Sequence, residues 1–389
     1  MDIVAEQVVI GNRGIVDSTG LGFPADSGPG TPLLPASTIG EQVCRGLAAG
    51  SGAGHGGRGG RHNLLTSGCG DVVTPAAHPR MHGGLSYGNA ELPRDFGSGG
   101  GSGYSWTRPG VDAGLGGAGG GRIRIVSSGQ MLLDGQVSSD GLPGEYYAPS
   151  GEYGAGGGGS GGSIVVSGGT GLALPGKIFA RGGAYPHYAG AGAGGRIAMV
   201  AERGLIELED DVRHVAHGAV ADVDSFGAPG TVLVSDLNRR ELHVRNVARR
   251  AWPPEVETPW PLQLSRPLTL ARVKLATVRV GLQPTEALRV GDIVPPADQA
   301  SAQSAIWQAR SLSMEDGAWA FASGLDIRAL FVQTHQSSIL RGDSGVRVRD
   351  AAFAAHAQQL SLAGRCLAGG LRDRFVVTDH LGAARTRAT

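Results

Sequence analysis

Lysine is nearly missing from this chain: Lys177 and Lys274 are the only two, and arginine supplies the rest of the basic charge. This bias fits a GC-rich genome and carries no chemistry of its own. Net charge is also missing, because 34 basic residues cancel 34 acidic ones. That excludes the broad electropositive footprint of a nucleic-acid or anionic-membrane binder. The three cysteines, Cys44, Cys69 and Cys366, show no CxxC spacing, which excludes a disulfide scaffold and a zinc ribbon. At most one disulfide can form, with Cys44 and Cys69 the nearer pair in sequence. Aromatic residues make up only 5% of the chain, so the core is expected to be aliphatic and strand-rich. No run approaches the length of a membrane span, and the opening MDIVAEQVVIGNRG lacks the basic and apolar regions of a signal peptide. The expectation is no membrane insertion, and either a cytoplasmic protein or a piece of a longer secreted chain.

Glycine, by contrast, is abundant: 68 of 389 residues, alongside 41% hydrophobic residues. A solvated disordered chain does not carry so much apolar surface, so the composition predicts a folded protein with many tight turns. Three segments align with one another: GGRIRIVSSGQMLLDGQVSSDG from Gly120, GGSIVVSGGTGLALPGKIFARGG from Gly161, and GGRIAMVAERGLIELEDDVRHVAHG from Gly194. Their first strand residues are Ile123, Ile164 and Ile197. Met131, Leu133, Gly135, Val137 and Gly141 match Leu172, Leu174, Gly176, Ile178 and Gly182 at identical offsets. The third unit keeps Ile206, Leu208 and Val212 but has Asp210 where glycine stood, which predicts a distorted copy. VVIGNRGIVDSTG at the start shares the ending, with Ile10, Gly14, Val16 and Gly20 in register.

Each unit reads as strand, turn, strand, glycine bend, short strand and glycine exit. Alternation with period two gives each strand one apolar face. Three short strands cannot bury those faces alone, whereas unit stacked on unit closes a continuous core. This predicts an all-β fold, a right-handed parallel β-helix, its hand taken from the general crossover preference. Glycines fit its corners, where positive φ or close backbone approach is needed. Three segments, 21–119, 142–160 and 184–193, are predicted loop insertions forming a ridge along one side. The run GAGGGGSGGSIVVSGG (154–169) would be flexible backbone turning a corner into a strand. The domain reading is a glycine-rich β-helix over 1–248, a Pro/Trp-rich boundary RRAWPPEVETPWP over 249–261, and a β-rich domain or continuation over 262–389. Helix signals are weak, the best being PADQASAQSAIWQARSLS around Ile306 and DAAFAAHAQQL around Phe353.

Several residue sets invite a chemical reading. GSGGGSG (97–103) and GGAGGG (116–121) suggest a phosphate loop, but no GK[ST] follows and no helix starts after them, so they are assigned to turns. His55, His62, His78 and His82, with Cys69 and Asp71 between, lack a known metal spacing and are read as polar loop residues. Glu209, Asp210, Asp211, Asp222 and Asp224 are the one acidic concentration. They are read as solvated charges rather than a glycan-cleaving pair or a calcium site, since no GGxGxD run is present. The tripeptide Arg341 to Asp343 is read as a turn after SSIL. Tyr104, Trp106, Tyr146, Tyr147, Tyr153, Tyr185 and Tyr188 fall in the predicted insertions. Aromatic rings displayed there can stack on sugars or bury at a protein contact, which makes these the candidate contact residues. No catalytic residue, metal or cofactor is assigned.

The order HGGRGG, YGNAELPRDFGSGGG, GGAGGGRIRIV, LLDGQVSSDG, GGGSGGSIVVSGG, GKIFARGG and GAGGRIAMV resembles the glycine-rich β-helix repeat regions of large bacterial-type surface and adhesin-like proteins. The resemblance spans roughly residues 1–235. It implies a parallel β-helix in an extracellular or cell-surface setting, as part of a longer chain, and supplies no catalytic residues. The expected function is a non-enzymatic structural or adhesive module with glycan or surface protein as partner. A carbohydrate-active β-helix enzyme and a phage or virus fibre segment are the alternatives.

Overall fold

The computed structural model describes residues 1–32, 49–61, 83–103, 114–146, 155–184, 189–208, 213–219, 226–238 and 240–245, and the backbone of eleven further strands between 258 and 385. The described residues are strand-rich with almost no helix, and form several parallel sheets that do not close into a barrel. They divide into two units, Met1–Asn238 and Arg239–Thr389. The division falls before the Pro/Trp-rich stretch, most of which lies outside the described residues.

In the first unit the strands come in threes. These are β1 (Asp2–Ala5), β2 (Val8–Ile10) and β3 (Ile15–Asp17); β4 (Arg122–Ser127), β5 (Gln130–Leu133) and β6 (Gln136–Ser138). They continue with β7 (Ser163–Gly168), β8 (Gly171–Leu174) and β9 (Lys177–Phe179); β10 (Arg196–Ala201), β11 (Ile206–Leu208) and β12 (His214–Val215); and then β13 (Thr231–Ser235). Every triplet gives one strand to each of three parallel sheets, ordered β1-β4-β7-β10-β13, β2-β5-β8-β11 and β3-β6-β9-β12.

The aligned sequence positions are ladder partners. Ile164 pairs with both Ile123 and Ile197, and Ile197 pairs with Val232. Met131 pairs with Leu172 and Leu172 with Ile206; Val137 pairs with both Val16 and Ile178. One buried cluster contains these aliphatic stacks, with Ile123, Leu133, Val137, Ile164, Ile178 and Ile197 fully enclosed. Burying a side chain of this size stabilises a fold by about 1.5–3 kcal/mol, so the stacks supply the main driving force of the unit.

The third copy departs where distortion is expected, at a different residue. His214, not Val212, pairs with Ile178, two residues later than the spacing of the earlier copies, and a largely buried histidine takes the place of a branched aliphatic. The first sheet also differs from the one-faced strands expected. Val165, Ala198 and Leu233 alternate away from the aliphatic stacks and are still buried. Parallel strands covered on both faces read as continuous apolar runs, which explains SIVVSG, RIAMVA and TVLVS. At the start of β7 and β10 this face is bonded to the stretch from Tyr87 to Asp95: Arg196 donates to the Tyr87 carbonyl and Ser163 Oγ to the Asp95 carbonyl.

The glycine segments are not corners. Between successive triplets the chain runs out and back, and the outgoing and returning runs hydrogen-bond to one another. Residues 157–162 show the rule. The amides of Gly157 and Ser160 donate to Gly101 and Ser98, those of Gly158 and Gly161 to Gly190 and Ala193, and those of Gly159 and Gly162 to Leu142 and Ser139. Each neighbour recurs every third residue, the period of an extended polyproline-II-like backbone, which bonds only outward. Carbonyls follow the same period: Gly157 and Ser160 accept from Gly117 and Gly120, Gly158 from Ala53, and Gly159 from Gly183. The run is thus enclosed by other glycine-rich runs and fully bonded to them.

Glycine is required here by approach, not by φ. A Cβ on Gly157, Gly158 or Gly159 would stand 2.1 Å from the carbonyl oxygens of Ser51, Gly183 and Ala118 respectively. Only Gly20, Gly28 and Gly88 carry positive φ among the described glycines. The glycine runs 49–60, 97–101, 155–162 and 189–195 within the expected insertions are therefore a lattice of largely buried extended chains bonded to one another, while Leu21, Leu85, Leu142 and Tyr146 in the same ranges are exposed.

The second unit holds two sheets. One contains β14 (Arg240–Arg245), β16 (Thr269–Ala276), β18 (Ala305–Met314) and β20 (Leu325–Thr334) in parallel; β20 then pairs with both β22 (Val346–Arg349) and β23 (Ala352–Ala355). β24 (Phe375–Thr378) follows β23 in parallel and β25 (Ala384–Arg385) closes this sheet antiparallel to it. The other is β15 (Thr258–Pro259), β17 (Arg279–Leu282), β19 (Trp319–Ala322) and β21 (Ile339–Gly342), all parallel. Both stretches with the best helix signals hold strands instead, β18 around Ile306 and β23 around Phe353. Ladder pairing along nearly all of β18 with β20 overrides an alanine- and glutamine-rich local preference.

Candidate functional site

Tyr87, which the sequence does not advertise, joins several polar contacts from distant segments. Its ring stacks on His55 with centroids 4.6 Å apart. Its hydroxyl donates to the Phe96 carbonyl and accepts from Ser98 Oγ at 2.8 Å. Its carbonyl accepts from Arg196 Nε at 2.9 Å and Nη2 at 2.7 Å, while Arg196 Nη1 reaches Thr231 Oγ1 at 3.3 Å. The aromatic segment and the first sheet are thereby tied at one point.

His55 and Arg196 are both fully enclosed. His55 Nδ1 lies 2.6 Å from the Gly161 carbonyl, and because a carbonyl only accepts, this nitrogen carries the proton. It stands where a backbone amide would continue the three-residue pattern begun by Ala53 on Gly158. Nε2 has no hydrogen-bond partner. Burial, with the Arg196 charge adding to it and the Gly161 bond opposing it, pulls the imidazole down to about 3. Burial likewise lowers Arg196 to about 10, against the favourable pull of Asp95 and Tyr87, and raises the Tyr87 hydroxyl. At neutral pH the set is therefore a neutral imidazole, a neutral phenol and a cation. An imidazole so far from its working range, closed to solvent, is not suited to general acid–base work. The arrangement instead fixes three chain segments against each other.

A second polar row follows the exits of the third sheet. Asp140 accepts the Arg181 amide at 2.6 Å and its guanidinium at 2.9 and 2.6 Å, and the guanidinium lies 4.3 Å from the Phe179 ring centre. Asp17 accepts from Thr19 and Ser138; these bonds outweigh its burial and lower its pKa. His217 on the next exit is lowered by burial.

Of the candidate contact residues, Tyr146 is described and exposed. Tyr104, Trp106, Tyr147, Tyr153, Tyr185 and Tyr188 lie outside the described residues, as do His62, His78, His82, Cys69, Asp71 and the carboxylates Glu209, Asp210, Asp211, Asp222 and Asp224. Among the described residues no group of three or more His, Cys, Asp and Glu can hold a metal ion, and no helix is long and apolar enough to cross a membrane. Most amides of the glycine patches are already bonded within the protein: Gly97, Gly100 and Gly101 donate to Gly120, Gly117 and Ser51, and Gly117 and Gly120 to Gly157 and Ser160. Arg341 and Gly342 belong to β21, paired with Phe321 and Ala322, instead of forming the expected turn; Asp343 lies outside the described residues. Tyr87 and Arg196 went unnoticed because tyrosine in YGNAELPRDF and arginine in GGRIAM differ in no way from exposed neighbours.

No protein-family profile matches the chain, and neither the curated proteins nor the solved structures include a significant match.

Proposed function

We propose that residues 1–238 form a right-handed parallel β-helix with a glycine lattice alongside it, and that the chain is a non-enzymatic structural or adhesive module of a secreted or cell-surface protein. The observation that carries this reading is the in-register stacking of whole triplets, Ile123–Ile164–Ile197–Val232 in one sheet and Val16–Val137–Ile178 in another. Stacked like units with a continuous aliphatic core make an extended, stiff support. Two of the groups with strongly displaced pKa values, His55 and Arg196, are sealed inside and serve packing, and the third, the Tyr87 hydroxyl, is hydrogen-bonded to Phe96 and Ser98. Glycan or surface protein is the partner class that a near-neutral chain with exposed tyrosine fits.

The test is to incubate the purified chain with immobilised polysaccharides and whole cells, measuring retention and the release of reducing or unsaturated sugar ends. Retention without release is expected. Turnover of a polysaccharide would replace this reading with a carbohydrate-active enzyme.

A further inference from the structure

The first triplet ends the three parallel sheets: β1, β2 and β3 each have a described neighbour on one side only, namely β4, β5 and β6. The carbonyls of Met1 and Ala5 accept from Arg124 and Ser128, that of Ile10 from Asp134, and that of Gly14 from Gln136. Successive residues of a strand turn their backbone groups to opposite sides. The amides and carbonyls of Val4, Val9 and Ile15 therefore point out of the end, and among the described residues nothing bonds them there. The same three residues are 68%, 62% and 70% exposed.

Where the second sheet stops at β11, the chain covers its own edge. The Ile206 amide donates to the Asp236 carboxylate and the Leu237 amide to the Gly204 carbonyl. Open edges elsewhere are blunted by proline, lysine or a covering chain, yet β1, β2 and β3 contain neither proline nor lysine. A group inside the triplet also lacks what its counterpart has. Ser139 Oγ donates to the Gly121 carbonyl, whereas Ser18, at the equivalent position one triplet earlier and equally buried, has no acceptor for its hydroxyl.

We propose that this end is a self-association surface, joining two copies of the chain end to end about a two-fold axis through β2. The inference goes beyond the structural or adhesive reading and needs only the stacked triplets. On this axis β2 runs antiparallel to its own copy with Val9 at the centre, and β1 runs antiparallel to the partner's β3 with Val4 opposite the partner's Ile15. A two-fold contact is self-complementary, so every match occurs twice. The turn holding Glu6 meets the turn holding Arg13, both exposed and opposite in charge. Asp2 and the partner's Asp17 also come opposite, but each keeps a partner of its own, Arg122 at 3.2 Å for Asp2 and the hydroxyls of Thr19 and Ser138 for Asp17. All of residues 1–29 except Val8, Ile10 and Ser18 are at least partly exposed, enough for the about 20–30 residues a side of a stable interface.

The experiment measures the mass of the full chain by sedimentation and light scattering across a dilution series. A dimer is expected. Val9→Lys places two ammonium groups on the axis and should weaken it at least ten-fold. Glu6→Arg and Arg13→Glu should each weaken it about five-fold or more, and an equal mixture of the two variants should dimerise again, because every Glu6–Arg13 contact then pairs a base with an acid. Leu237→Ser, at a residue 65% exposed beyond β13, should change nothing. Amide exchange at Ile123 and Ile164 matching the wild type shows that each variant is folded. A wild-type monomer would overturn the proposal, a dimer indifferent to Val9→Lys would overturn its location, and a mixture that stays monomeric would overturn the axis. Sugar-end release from a polysaccharide would overturn the adhesive reading and leave the dimer untouched.

Discussion

Arg122 and Arg196 hold the same register position, each paired with Ser163 from opposite sides. Arg122 meets Asp2 at 3.2 Å on the surface; Arg196 is sealed beneath Tyr87. The surface pair is worth little, whereas truncating Arg196 leaves a buried carbonyl unbonded. We expect Arg196→Ala to cost about 1–3 kcal/mol and Arg122→Ala within about 0.5 kcal/mol, compared by urea denaturation. His55 sets the acid limit. It is neutral when folded down to about 3 and takes a proton near 6.5 when unfolded. Its contribution is therefore fully present above about pH 6.5 and is lost as pH falls toward 3, at up to about 1.4 kcal/mol per pH unit. His217 is lowered in the same direction. The urea midpoint should be flat from pH 7 to 8 and fall from 6 to 4, and His55→Phe should make that fall shallower; an unchanged slope would remove His55 from the account.

At the scale of the element, the run 157–162 behaves as ordered secondary structure without being helix or strand. Its amides are all bonded inside the lattice, so hydrogen exchange at Gly157–Gly162 should be as slow as at Ile164 and Val166, instead of at the rate of a glycine loop. Gly158→Ala would force a Cβ to 2.1 Å from the Gly183 carbonyl and is expected to cost about 1–3 kcal/mol or more through overpacking. Gly11→Ala, where a Cβ meets nothing within 4 Å, is the matched control and should leave the melting temperature nearly unchanged. The sheets were far more legible than this lattice. Side chains announce a strand by alternation, and Ile123, Ile164 and Ile197 could be aligned from that pattern alone. A glycine run has no side-chain pattern, so nothing local separates a flexible joint from a buried ladder.

At the scale of the molecule, the aliphatic stacks and the lattice depend on each other. Each triplet extends three sheets, and the chain between triplets extends the lattice. Tyr87, His55 and Arg196 couple the two, which is why the cluster is structural although its residue types suggest chemistry. Because all of this lies within Met1–Asn238, a chain ending at Asn238 should retain the slow exchange of Gly157–Gly162, measured by mass spectrometry. Rapid exchange there would show that the first unit needs the second.

By itself the sequence determined which residues stack. The period of two, the repeat offsets and the aliphatic choice at each inward position are local properties, and together they dictated parallel strands in register. Tertiary structure alone decided what the glycines do and which polar residues are buried. Both depend on neighbours contributed by distant segments, as Gly158 depends on Gly190 and Ala53, and Arg196 on Tyr87. A backbone without Cβ atoms accepts any neighbour that offers a carbonyl or an amide at the right spacing. Its partners are therefore chosen only when the strands have folded and brought the runs together.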